Sequence, residues 1–403
     1  MTDELDTAVR GALTAAAREA PAVPAGLLER VEAGHRRRRR RRTGAAALAV
    51  AVVLGGTGTA GALLRSGDRP PPAAAAGELK PVPRTGLGTP VKVRDTWPDA
   101  VRSVPGRLPN GRELHPVELL DGDRLVGATW SSLQRPDKLW SYDLGTGKAG
   151  VITDIVVPRG SRVFASDFAI GGDRVVWWLS YRVDGRDTVE IWAAPIAGGA
   201  AHKITGMPGS VVSTLLIDGD TIVWGMSGGV YEMPLPGGVP AKIPGSGGFG
   251  IISWPWIGSP ASPGGEAGDT EYRSLWNVRT GERRKALLAP FKAPWSCGVI
   301  WCVAGRPDVG TAVQRRDGKA GRVLPDGFMA TMTGVVYGRF VPYLPEGPAT
   351  KNHVLYDADT GTLLDTGIRR GNEVMGPARN DRDPQHFFVH ENGTMLLDLS
   401  KIR

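Results

Sequence analysis

From residue 91 to the C-terminus, short apolar runs alternate with turns rich in glycine and aspartate at a steady interval. A turn such as Asp121-Gly122-Asp123, Gly171-Gly172-Asp173 or Asp218-Gly219-Asp220 precedes an almost wholly apolar run. These runs are Arg124–Trp130, Arg174–Tyr181, Thr221–Trp224, Val299–Val303, Val335–Phe340 and His386–His390. Each leads to a second run with an aromatic or aliphatic pair that ends in a glycine turn, as in Leu139-Trp140-Ser141-Tyr142-Asp143 before Gly147. The anchoring glycines are Gly147, Gly198, Gly237, Gly281, Gly318 and Gly361, between 37 (Gly281 to Gly318) and 51 (Gly147 to Gly198) residues apart. A period of this size in an all-β chain predicts the four-stranded blades of a propeller. Runs covered on both faces by neighbouring blades are apolar throughout, whereas outer strands are mixed.

A seventh anchor, Met395-Leu396-Leu397-Asp398, makes a seven-bladed β-propeller the expected fold. Six blades is the alternative, because the copy at Gln314–Gly318 is the weakest. The last anchor lies too close to the C-terminus to be followed by an outer strand. An unpaired edge there would be a liability, so the alternating segment Val91-Lys92-Val93-Arg94 is expected to close the ring.

Upstream the pattern changes. Thr43–Leu64 is a run of 22 residues without a charge, long enough for a helix to cross a bilayer. It follows Arg36, Arg37, Arg38, Arg39, Arg40, Arg41 and Arg42, a block that orients such a helix with its N-terminus in the cytoplasm. The expected organisation is a cytoplasmic stub (1–42), a signal-anchor transmembrane helix (43–64), a Pro/Ala-rich linker (65–90) and an extracytoplasmic propeller (91–403). The stub has two short helical patterns, the second with an apolar face of Leu27, Leu28 and Val31 that suits a cytoplasmic regulatory partner. The seven arginines account for most of the net charge of +8. The rest is nearly neutral, which argues against a nucleic-acid-binding domain, and the lipid bilayer is the expected neighbour of the block.

The two cysteines, Cys297 and Cys302, fall on the side of the membrane where disulfides persist, and are expected to bond across a hairpin. Their spacing is not that of a thioredoxin-like redox site, and no histidine lies near enough to complete a zinc site. Gly225-Met226-Ser227-Gly228-Gly229 matches a nucleophile elbow, but a strand rather than a helix follows it, so Ser227 reads as a turn residue. The paired aspartates lack the terminal glutamate of a calcium loop. No cofactor, metal or catalytic residue is expected. The candidate binding element is the long connection from Ser253 to Arg273, with Trp254 and Trp256 as aromatic anchors and Glu266, Asp269 and Glu271 as acids. Loops of this length in compact domains are usually functional or disordered.

The period and strand pattern resemble the WD-repeat-like and TolB-like propeller ectodomains of actinobacterial single-pass membrane proteins. The Trp-Asp dipeptide and the Ser-Pro-Asp-Gly turn of those repeats are absent, so no binding residue carries over. The stub resembles the cytoplasmic segments of anti-sigma-type proteins in its acidic start, its Pro21 to Pro24 break and its Leu-Leu-x-x-Val helix. It lacks the His/Cys cluster of the zinc-binding members. The expected function is a non-catalytic binding, scaffold or sensor module at the cell membrane, with an extracytoplasmic protein or glycan as ligand. The alternatives are regulation of a cytoplasmic partner such as a sigma factor, and an enzyme acting on cell-envelope carbohydrate.

Overall fold

The computed structural model describes residues 77–120, 122–132, 135–157, 164–209, 211–261, 270–306, 308–325, 327–329, 334–345, 351–369, 376–377, 383–390 and 394–403. The stub face Leu27, Leu28 and Val31, the block Arg36–Arg42 and the apolar run 43–64 lie outside these residues. Among the described residues no helix is long and apolar enough to cross a membrane.

The chain is an all-β propeller. Six blades are each built from one consecutive stretch of chain, with strands a to d running from the inner to the outer edge. Blade 1 comprises His115–Leu120, Arg124–Ser132, Arg135–Asp143 and Ala149–Asp154. Blade 2 follows with Phe164–Gly171, Arg174–Val183, Arg186–Pro195 and His202–Pro208. Blade 3 is Thr214–Asp218, Thr221–Met226, Gly229–Pro234 and Ala241–Lys242. Blade 4 is Gly250–Ser253, Trp256–Ser259, Ser274–Asn277 and Arg283–Lys285. Blade 5 is Trp295–Cys297, Trp301–Arg306, Gly310–Arg315 and Arg322–Leu324. Blade 6 is Gly327–Met329, Phe340–Pro345, Asn352–Asp357 and Leu363–Arg369. The weak fifth repeat is a complete blade, yet the expected count of seven is corrected to the alternative, six, because only six sheets are each built from one consecutive stretch among the described residues.

One further sheet is composite. Gly376–Pro377, His386–His390 and Thr394–Asp398 are joined at the outer edge by Val101–Val104, from the segment just before blade 1. Val101 stands opposite Leu397 and Val104 opposite Thr394, antiparallel.

Alternation along the strands builds the core. In strand b of blade 2, Val175, Trp177 and Leu179 join an apolar cluster shared with blade 1, while Val176 and Trp178 join one shared with blade 3. Side chains two apart share a face, so a strand buried on both sides must be apolar at every position. The same arrangement recurs between each pair of neighbouring sheets. Phe387, Val389 and Leu397 of the composite sheet pack with blade 6. Phe388 and Leu396 pack with Leu114 and Leu125 next to and in blade 1. All six anchoring glycines have φ between 70° and 117°, which explains the residue type at each turn.

Two strand expectations are corrected. Val335–Phe340 is not strand b of blade 6. Tyr337 and Gly338 are left-handed (φ 50° and 61°), and Val336 and Phe340 exchange backbone hydrogen bonds, so the chain reverses before strand b starts at Phe340. Nor does Val91–Arg94 close the ring. Val91–Lys92 adds in parallel to the outer strand of blade 6, opposite Leu364 and Asp365. A helical turn, Val93–Thr96, and a 3-10 turn, Pro98–Ala100, then carry the chain to the composite sheet, burying Val93 and Ala100 completely. Both segments alternate, and alternation alone does not choose between them. Lys80–Pro81, in the stretch read as linker, likewise pairs in parallel with the outer strand of blade 5. The N-terminal segment is therefore a strap along three successive outer edges.

Candidate functional site

Trp254-Pro255 forms the turn between strands a and b of blade 4, with a cis peptide bond. The connection between strands b and c runs from Pro260 to Arg273. Because adjacent strands are antiparallel, these two features emerge at opposite ends of the blade. The structure therefore separates Trp254 and Trp256 from the acids grouped with them in the sequence. Glu266 and Asp269 lie outside the described residues. Glu271 is buried: Thr270–Glu271 forms a short strand, parallel to Trp295–Ser296, on the inner edge of blade 5. Its Oε2 accepts a hydrogen bond from the Ser296 hydroxyl at 2.7 Å. The end of the connection is anchored in the ring rather than projecting from it.

Arg316, next to strand c of blade 5, holds this arrangement. Its side chain is 4% exposed. Nε and Nη2 donate to the Gly298 carbonyl (3.0 and 2.6 Å), Nη1 to that of Arg273 (3.0 Å) and Nη2 also to that of Tyr272 (2.9 Å). Burial pulls its pKa down to about 9, still well above neutrality, so the group stays cationic. One planar fork thus ties the blade 4 connection to the first hairpin of blade 5. That hairpin carries the Cys297–Cys302 disulfide, as expected; the two cysteines are register partners on adjacent strands.

Trp254 and Trp256 are half-buried structural residues. The indole N–H of Trp254 donates to Asp218 Oδ2 at 2.8 Å, and Arg279 Nη2 reaches the same oxygen at 2.6 Å. These bonds, the Trp254 one first, hold the Asp218 carboxyl below the usual carboxylate range. The Arg284 guanidinium lies 4.4 Å from the Trp256 ring centroid, and that of Arg283 lies 4.5 Å from the Trp276 centroid. Sequence reasoning missed these arginine–tryptophan pairs. The signal was present in Arg283-Arg284-Lys285, three cations in a row on an outer strand.

Inside the ring, strands a of blades 2 to 4 line a cavity of about 250 Å³, with Asp167, Thr214, Asp218, Ser253, Trp254 and Asp383 on its wall. No group of three or more His, Cys, Asp or Glu among the described residues is arranged to hold a metal. Ser227 sits in the two-residue turn between Met226 and Gly229, a strand on either side, and not at an elbow.

A second depressed carboxylate, Asp357, is 1% exposed. Burial raises its pKa, but bonds from Arg339 (Nε 2.7 Å, Nη2 2.5 Å) and the Thr360 hydroxyl (2.7 Å) outweigh that and lower it. Folded pKa values below the unfolded ones add stability above the unfolded value of about 3.9, and that stability is lost as pH falls through the folded value. The urea midpoint is therefore expected to stay level from neutral pH to about pH 5 and to drop below about pH 4. Asp357→Asn should begin from a lower midpoint and show a shallower drop; an identical slope would assign the acid sensitivity to other groups.

No protein-family profile matches the sequence, and no curated protein matches it either. Among solved structures, the chain is similar to YCF48 bound to D1 peptide (10% identity, TM-score 0.45, covering 74% of this chain and 97% of that one). It is also similar to the β-propeller domain of the trilobed protease from Pyrococcus furiosus (13%, 0.41, 71% and 95%). A third is oligogalacturonate lyase in complex with manganese (10%, 0.35, 79% and 90%). At these identities the likeness shows the β-propeller fold alone. The expectation that the protein is not an enzyme is corrected by this set: enzymes are among the chains sharing the fold, so architecture gives no ground for excluding catalysis.

Proposed function

We propose that the protein is a binding scaffold that takes up protein or peptide partners at the outer edges of its blades. One observation carries this reading. The chain itself lays strands on the outer edges of blades 5 and 6 and of the composite sheet, whereas those of blades 1 to 4 end in unpaired strands among the described residues. An open sheet edge presents a row of backbone donors and acceptors, a recurrent way to capture an extended segment. The inner cavity, about 250 Å³, is small for a macromolecular ligand.

In this proposal the composite sheet counts as a seventh blade, supported by the clusters that join it to blade 6 and to blade 1. The apolar run 43–64 anchors the ring to the membrane, with Arg36–Arg42 inside, supported by its length and its flanking charge. A second reading, an enzyme acting on carbohydrate in the inner cavity, is favoured by the three carboxylates on its wall, Asp167, Asp218 and Asp383.

Photoreactive residues placed one at a time at Lys285 on the rim, and at Val211 and Tyr337 on exposed connections, test the scaffold reading in the full-length protein in its native envelope. A partner crosslinked at the rim is expected. Absence of crosslinks at all three positions, with oligosaccharide cleavage that Asp167→Asn abolishes, would replace the scaffold reading by the enzymatic one.

A further inference from the structure

We infer that the outer edge of blade 4 accepts an extended, acidic segment of another protein as an added strand. The inference deepens the rim-binding reading and rests on it.

The ladder between strands c and d of blade 4 shows which backbone groups are spent. The Asn277 N–H donates to the Glu282 carbonyl and the Ala286 N–H to that of Arg273, both at 2.8 Å. In an antiparallel pair, inward and outward groups alternate along the strand. Residues 282, 284 and 286 thus face strand c, and the N–H and C=O of Arg283 and Lys285 point away from the sheet. The rim of this fold already takes strands in that position, since Lys80–Pro81 lies on blade 5 and Val91–Lys92 on blade 6, both in parallel.

Charge selects the occupant. Arg283, Arg284 and Lys285 are all exposed. Arg284 is engaged by Glu282 at 2.7 Å, whereas Arg283 and Lys285 form no ion pair among the described residues. Stacking on Trp276 and Trp256 holds the two guanidinium groups in place, so little side-chain freedom is left to lose on binding. A second copy of this edge is disfavoured, because self-pairing would oppose cation to cation. The other open edges suit an acidic strand less well. Lys203 on blade 2 is engaged by Glu190 at 3.0 Å, Lys138 on blade 1 pairs with Asp154 of its outer strand, and the outer strand of blade 3 is two residues long.

The test uses the full-length protein and a fluorescent peptide alternating glutamate and valine, with a lysine/valine peptide as control and inorganic polyphosphate as competitor. Saturable binding of the acidic peptide alone is expected. Lys285→Pro removes one outward N–H and no ladder bond, and should weaken binding about tenfold or more. The double reversal Arg283→Glu with Lys285→Glu should abolish it, with the unfolding midpoint of both variants near that of the parent. Unchanged affinity in the proline variant, together with full displacement by polyphosphate, would mark a general polyanion surface and overturn the inference; so would failure of the acidic peptide to bind. Crosslinks at Val211 or Tyr337 with none at Lys285 would remove this site and leave the scaffold reading standing.

Discussion

A chain that starts after Val104 is expected to lose the cooperative unfolding transition of the intact protein. Such a truncation removes Val101–Val104 from the outer edge of the composite sheet. It also takes Val93 and Ala100 out of the cluster shared with blade 6, and Val104 out of the one shared with blade 1. Val91, Trp97 and Val101, partly buried against the first cluster, go with them. At about 1.5–3 kcal/mol for each large apolar side chain, the loss is roughly 6–10 kcal/mol. That is comparable with the whole stability of a typical domain, about 5–15 kcal/mol. Three sheet edges, those of blades 5 and 6 and of the composite sheet, would also become available for aggregation. Urea unfolding followed by tryptophan fluorescence should show a broad, early transition, and static light scattering a rise in mass. A sharp transition at the parent midpoint would mean that the strap is dispensable and that the composite sheet closes without it.

Replacing Arg316 by alanine should lower stability by about 3 kcal/mol, the scale for losing several hydrogen bonds to a charged group and leaving buried carbonyls short of donors. Arg316→Lys should recover little, because an ammonium on a flexible stem cannot reproduce a planar fork over three carbonyls. The effect should be local before it is global. With Tyr272 and Arg273 released, the connection that inserts Thr270–Glu271 beside blade 5 should open, and limited proteolysis should cut near residues 270–273 under conditions that leave the parent intact. Equal protease resistance in parent and variant would show that the inner strand is held by the Ser296–Glu271 bond and packing instead.

The architecture was readable where one physical requirement acts at each repeat. Gly147 to Gly361 mark turns that need a positive φ, and the doubly buried strands b need apolar residues throughout, so period and strand type follow from residue type. The choice of closing strand was not readable. Val91–Arg94 and Val101–Val104 alternate equally well, and the difference lies in the helical turn that buries Val93 and Ala100 between them. The site was less readable still. Trp254 and Trp256 looked like a loop because Pro255 and the glycines around them suggest one, yet they border a tight hairpin and are engaged by Asp218 and Arg284. Arg316 resembles any other arginine near a turn, since its three acceptors are backbone carbonyls scattered along the chain, and carbonyls leave no trace in residue type.

The pairing of Val101 with Leu397 joins the start of the ring to its end. During synthesis, therefore, one partner leaves the ribosome almost a whole propeller ahead of the other. Until Thr394–Asp398 emerges, the early segment is without its mate while the six consecutive blades are already made. The pairing waits for Thr394–Asp398 to be made, and any product cut short before that strand is born with an exposed seam for chaperones and proteases to find.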